Sequence, residues 1–125
     1  MSTRLPFLYV KASPGKGRGV FTAQAIPADT PIESCPVLVL PAEDTPLIHR
    51  TRLHDYYFLW GTDGRCAIAL GFGSLYNHAD DANADYVMDF AQATIDIHAR
   101  RDIAAGEEIT INYRDGGEQE GALWF

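Results

Sequence analysis

What most limits the folds open to this chain is the shortness of its β-prone runs and the frequency with which turn residues cut them. Residues 7–10, 19–21, 37–40, 66–70, 86–90, 94–98 and 109–113 each suit one short strand. Between them stand Ser13-Pro14-Gly15, Pro27-Ala28-Asp29, Pro41-Ala42-Glu43-Asp44 and Ala104-Ala105-Gly106, all of which carry turn chemistry. The pattern predicts a small, irregular, mostly β fold of antiparallel strands. One helix is expected over residues 46–58, capped by Asp44 or Thr45, with Pro46 in its first turn. Ile95 and Ile97 alternate with Asp96 and His98, the period of a strand packed on one face and wet on the other. Ile109, Ile111 and Tyr113 share a face, so a strand after the Gly106 turn delivers a phenol inward.

At 125 residues and 46% hydrophobic, the chain is read as one domain, 1–125, with enough apolar material for a core. Seventeen acidic residues against ten lysines and arginines give a net charge of -7. That balance argues against direct, broad binding of nucleic acid and favours a basic partner. No stretch approaches the roughly 18 consecutive apolar residues of a membrane span, and the first ten residues lack the apolar core of a secretory signal. A cytoplasmic protein with no membrane partner is expected. Cys35 and Cys66 are too few for a four-cysteine zinc site and read as two buried thiols.

Two segments hold chemistry. Gly15-Lys16-Gly17-Arg18-Gly19 alternates glycine with positive charge, which lets a ligand approach bare backbone, or simply forms a hairpin. It lacks the Gly-Lys-Ser/Thr ending of a phosphate loop. Gly71-Phe72-Gly73-Ser74-Leu75-Tyr76-Asn77-His78 leads through Ala79-Asp80-Asp81-Ala82 to Asn83, and an amide beside an imidazole can satisfy crossing backbone or hold a purine edge. His78 with Asp80 or Asp81 has no third ligand at useful spacing, so no metal is expected; His49, His54 and His98 read as surface or packing residues. No serine elbow or Cys-His pair supports covalent hydrolysis. Tyr56, Tyr57, Tyr76, Tyr86 and Tyr113, taken singly, read as core phenols.

Taken together, Lys16-Gly17-Arg18-Gly19-Val20-Phe21, then Gly73-Ser74-Leu75-Tyr76-Asn77-His78 with Asn83, then Gly106-Glu107-Glu108-Ile109-Thr110-Ile111-Asn112-Tyr113 resemble the SET-domain protein lysine methyltransferases. The likeness runs from Arg4 to Tyr113 and looks greatest to the minimal stand-alone SET proteins of viruses and bacteria. The resemblance implies a mostly β fold, the SET-domain β-clip, with small curved antiparallel sheets, one or two short helices and a C-terminal pseudoknot. It implies a motif-bearing core over 4–113, followed by an acidic linker and aromatic tail over 114–125. It implies S-adenosyl-L-methionine as cofactor, held by Lys16, Gly17, Arg18, Gly19, Asn77 and His78, with Trp124 over the adenine and no room for a Cβ at the glycines. Tyr113 corresponds to the tyrosine beside the transferring methyl, and Tyr56 to a channel tyrosine.

The departures carry expectations too. Asn77-His78 is followed by Ala79-Asp80 where Ser-Cys is common, and no cysteine follows Tyr113 to build a zinc-bound post-SET cluster. Closure of the lysine channel then falls to Leu123-Trp124-Phe125 or to a second subunit, so a homodimer is expected. Ile111 stands where some relatives carry an aromatic that limits methyl count. The expected substrate is a lysine in a basic protein (histone, histone-like or ribosomal), drawn to Asp80, Asp81, Asp85 and Asp89 near the groove. A host-directed effector would act in a host nucleus instead of the cytoplasm. The alternatives are a non-catalytic lysine-peptide-binding module on a degenerate SET scaffold and a small-amine methyltransferase.

Overall fold

The computed structural model describes residues 4–113. Nine strands appear in chain order: β1 (Leu8–Ser13), β2 (Gly17–Thr22), β3 (Pro31–Leu40), β4 (Tyr57–Leu59), β5 (Cys66–Ala69), β6 (Asn77–His78), β7 (Ala84–Asp89), β8 (Thr94–Ala99) and β9 (Glu108–Ile111). One α-helix, α1 (Thr45–His49), lies among three 3-10 turns at Ala42–Asp44, Arg52–Asp55 and Gly73–Leu75. The strands form two sheets, β1-β2-β9-β6 and β4-β5-β3-β8-β7. Every strand pair is antiparallel except β6 with β9, where Asn77 pairs with Thr110 and His78 with Ile111.

The two sheets share a core because each strand turns alternate residues inward. Val20, Ile32, Ile95, Ile97, Ile109 and Ile111 are fully buried, and Asp96 and His98 face partly outward, as the alternation predicts. Cys35 and Cys66 are buried free thiols. Burial, then the nearby Glu33 carboxylate, pushes the Cys35 thiol up, which makes it a packing residue and a poor nucleophile. β3 is the longest strand because it serves two partners in turn. Pro31 to Pro36 pair with β8, and Val37 to Leu40 with β5. Pro36, with no N–H to give, sits at the handover.

The helix expected over 46–58 is corrected. Only Thr45–His49 is α-helical; Arg52–Asp55 forms a 3-10 turn, and Tyr57–Leu59 is a strand. Thr51 is the reason: its hydroxyl donates to the Ile48 carbonyl at 2.7 Å and accepts from the Leu53 amide at 3.1 Å. It thus closes one helix and opens the next turn. Tyr57 and Phe58 gain more by burial against β5 than by helical continuation. Asp44 makes no side-chain cap, and the Thr45 hydroxyl is spent on the Gly64 carbonyl. β6 and the Pro31–Pro36 half of β3 were not expected, and β9 ends at Ile111, so Tyr113 lies beyond the strand. Among the described residues no helix is long and apolar enough to cross a membrane.

Candidate functional site

Four segments far apart in sequence line one cleft of about 500 Å³. Gly15, Lys16, Gly17 and Arg18 come from the β1–β2 turn and the start of β2. Asp55 ends the second 3-10 turn and Tyr56 follows it, Ser74, Leu75, Asn77 and His78 run from the third into β6, and Tyr113 follows β9. Of the residues expected in a site, Lys16, Gly17, Arg18, Tyr56, Asn77, His78 and Tyr113 therefore meet. Trp124, and the tail that contains it, lie outside the described residues.

The glycines do different jobs. Gly15 and Gly17 have φ of +75° and +74°, and a Cβ on either would meet no atom within 4 Å. Their bare backbone borders open space in a conformation that side-chain-bearing residues rarely adopt. Gly19 is different. A Cβ there would collide with the Glu108 carboxylate and lie 2.8 Å from the Asn77 amide nitrogen, so side chains of this chain already fill the space expected for a ligand. Gly19 is absent from the cleft wall.

Glu108 organises this corner. Its carboxylate accepts from the Ser13 hydroxyl at 2.8 Å and from Asn77 Nδ2 at 2.7 Å, and Nδ2 also donates to the Arg18 carbonyl at 3.1 Å. Both Asn77 amide hydrogens are committed, which leaves Oδ1 as the atom it offers. Lys16 Nζ reaches the His78 carbonyl at 3.2 Å and so ties the glycine turn to β6. His78 Nδ1 accepts from the Tyr113 amide at 3.1 Å, so the ring hydrogen sits on Nε2, which meets Asp80 Oδ1 at 3.0 Å.

Tyr113 is held from every side. Its hydroxyl donates to the Tyr76 carbonyl at 2.6 Å, and its own carbonyl accepts from the Tyr86 hydroxyl at 2.7 Å. Its ring meets Phe58 edge-on at 6.1 Å and lies tilted against His78 at 5.3 Å. Burial, then the electrostatic influence of Tyr86, Asp55, Tyr56 and Glu108, raises the phenol above its ordinary value of 10.0. It is a fixed donor rather than a base. Tyr56, by contrast, is 40% exposed, which sets it at the cleft mouth rather than in the core. With Asp55 it also borders a shallower hollow lined by Arg50, Arg52 and His54.

Burial raises the Tyr76 phenol as well, with Glu33 next in effect. Two native phenols therefore keep protons that the unfolded chain releases above pH 10, so the unfolded state binds fewer protons there and stability falls as pH rises. Their contribution is fully present below pH 10 and is lost at about 1.4 kcal/mol per pH unit per phenol above it. Guanidinium unfolding between pH 9 and 11 should show that decline, and a flat midpoint across the range would contradict it.

Asn83 was noted only as the end of a motif, yet it fastens β9. It is 2% exposed, donates to the Glu107 carboxylate and the Glu108 carbonyl, and accepts from the Thr110 amide. Sequence reasoning assigned no role to Asp55, Phe58 or Glu33, and took Glu108 only as part of the motif before Tyr113. Glu33 had a faint signal, an acid set between Ile32 and Cys35 just ahead of the apolar run from Val37 to Leu40. Glu108 had none, since its partners are set by tertiary pairing. Among the described residues no group of three or more His, Cys, Asp or Glu could hold a metal ion.

The sequence signature of the SET domain matches residues 17–114. The chain belongs to the SET-domain family. It is 35% identical over 119 residues to the H3 lysine-37 specific histone-lysine N-methyltransferase of Schizosaccharomyces pombe, covering 94% of this chain and 76% of that protein. Its fold is similar to the crystal structure of a candidate histone methyltransferase of Plasmodium falciparum, with a TM-score of 0.73 and 27% identity, covering 90% of this chain and 97% of that one. This SET domain is a lysine methyltransferase that uses S-adenosylmethionine. The relatives named here come from a yeast and Plasmodium, so the likeness holds to the family at large rather than to the viral and bacterial proteins in particular.

Proposed function

We propose that the cleft binds S-adenosylmethionine along Lys16, Gly17, Arg18, Asn77 and His78 and presents a substrate lysine to Tyr113 past Tyr56. The observation that carries this reading is the meeting of the glycine turn, Asn77-His78 and Tyr113 in one cleft. The fit rests on the bare backbone at Gly15 and Gly17, which borders open space in a conformation suited to glycine, and on Asn77 Oδ1, an acceptor suited to the cofactor's ammonium. Gly19 acts one step back, by leaving room for the Glu108 and Asn77 side chains. When bound, the cofactor supplies a methyl group on a sulfonium.

The chain's own task is alignment and desolvation. Direct displacement needs a neutral amine, and at pH 7 an unperturbed lysine reaches that state at a cost of about 4.6 kcal/mol. An aromatic entry formed by Tyr56 and Tyr113 strips water from the ammonium and lowers that cost. Tyr113, its proton given to the Tyr76 carbonyl, offers oxygen density toward developing positive charge. No protein nucleophile is required.

For the substrate we favour a histone or histone-like lysine. The net charge of -7 supports it, as does a 35% identical relative named for histone H3 lysine 37. The acid in the cleft wall is Asp55, not the expected cluster. Asp80 is bonded to His78, Asp81 to Arg101 and Asp85 to His98, while Asp85 and Asp89 lie on β7. The parallel β6–β9 pairing, with Asn83 and His78 bonded across it, supports reading this crossing as the family's pseudoknot. Channel closure by residues 123–125 or by a second copy, and residence in the cytoplasm, stay part of this proposal; light scattering of the purified protein tests the dimer.

Titration calorimetry with S-adenosylmethionine, followed by tritiated methyl transfer to mixed core histones, tests the whole. Binding with label in a histone band supports it. Binding without label rejects the substrate, and tight peptide binding without cofactor affinity favours the non-catalytic module. Asn77→Ala should weaken cofactor binding by about tenfold through loss of one charge-assisted contact. An unchanged Kd in a folded variant would remove Asn77 from the site.

A further inference from the structure

We propose that Glu33, which does not line the cleft, is a positioning residue for Tyr113 and acts on it through Tyr76. The inference rests on the reading of Tyr113 given above. Tyr76 is 1% exposed and is gripped at both ends. Its hydroxyl donates to Glu33 Oε1 at 2.6 Å, while its carbonyl accepts the Tyr113 hydroxyl at 2.6 Å. The other carboxylate oxygen, Oε2, accepts from the Phe72 amide at 3.1 Å and lies 3.6 Å from the Arg4 guanidinium. One buried carboxylate therefore holds both flanks of the Gly73–Leu75 turn, Phe72 before it and Tyr76 after it.

Directly after Tyr76, Asn77 enters its ladder with Thr110. The peptide plane that carries the Tyr76 carbonyl is thus fixed on one side by β9 and on the other by a ring anchored to β3. Short hydrogen bonds from a hydroxyl to a carboxylate are among the stronger ones, and the Tyr76 side chain is buried. Releasing the ring lets the carbonyl shift, and the Tyr113 hydroxyl with it. A displacement of about 1 Å at a reacting centre can cost up to about 100-fold in rate.

The test compares turnover with folding, using tritiated S-adenosylmethionine and mixed core histones well below each variant's melting temperature. Tyr76→Phe keeps the ring and removes its bond; kcat should fall by about tenfold while the KM for S-adenosylmethionine stays within about twofold. Adding Glu33→Gln to Tyr76→Phe removes the poorly compensated buried charge, so the melting temperature should recover and kcat should stay low. Recovery of kcat together with melting temperature would make the clamp merely structural and overturn the proposal. Placed on Tyr113→Phe, Tyr76→Phe should cause no further fall, because the group it positions is gone. If Tyr76→Phe does not fold, Glu33→Gln alone decides: Tyr76 and Phe72 donate to different carboxylate oxygens, so the amide must turn its NH2 toward one of these two donors, and kcat should drop by at least about threefold at unchanged KM. Parent-like turnover in Glu33→Gln and Tyr76→Phe, with Tyr113→Phe slow, sinks this inference alone. A fast Tyr113→Phe sinks the reading of Tyr113 itself.

Discussion

Tyr113→Phe lowers kcat by about 100-fold and leaves the Kd for S-adenosylmethionine within about threefold; this is the largest functional effect expected of one atom in this protein. The ring's contacts with Phe58 and His78 do not need the hydroxyl, and the backbone carbonyl keeps its bond from Tyr86. What disappears is the oxygen whose proton is held by the Tyr76 carbonyl. Because that phenol is raised from its ordinary value, it does not titrate through the neutral range, and the rise of parent activity with pH should report the substrate amine. Rapid-quench transfer with saturating cofactor separates chemistry from binding. A variant that binds and turns over like the parent would show that alignment is achieved without Tyr113.

Gly73→Ala should destabilise the fold by about 3 kcal/mol, at the upper end of the cost of inserting a methyl group into a packed core. An added Cβ would sit 2.6 Å from the Ala69 Cβ and 2.9 Å from the Cys35 sulfur. Neither neighbour is the tip of a flexible chain; Ala69 is fixed in β5 and Cys35 in β3. The turn itself must move, and it carries Ser74, whose hydroxyl bonds both the amide and the carbonyl of Ala69. Tyr76 and Asn77 lie just beyond, so activity should fall further than the lost folded fraction explains. Chemical denaturation gives the first quantity and kcat per folded molecule the second. A cost below about 1 kcal/mol would mean that the β3–β5 layer yields more readily than packed interiors do.

Much of the fold was open to reading from particular residues. The alternation of Ile95, Asp96, Ile97 and His98 is local, and a strand's two faces follow from it without knowledge of a partner. The helix prediction failed at Thr51 for an equally local reason that composition hides: a threonine hydroxyl can close one turn and start another. β6 escaped notice because two residues have no periodicity to detect, and its existence depends wholly on Thr110 and Ile111 lying beside it. Lys16, Asn77, His78 and Tyr113, which line the cleft, were singled out by their order and type. Glu33 and Glu108 were not, since a glutamate gives no sign of whether water or a buried phenol will meet it.

The sequence by itself determined where the chain turns, which strand faces are apolar and, through the joint pattern of three segments, the family. Tertiary structure decided the partners: Ser13 with Glu108, Arg18 with Asn77, Glu33 with Tyr76 and Tyr76 with Tyr113. Turns and alternation depend on the backbone preferences of a few consecutive residues, which are written in order along the chain. A hydrogen bond between distant strands depends on register, and register is settled only when every apolar face has found its place in the common core.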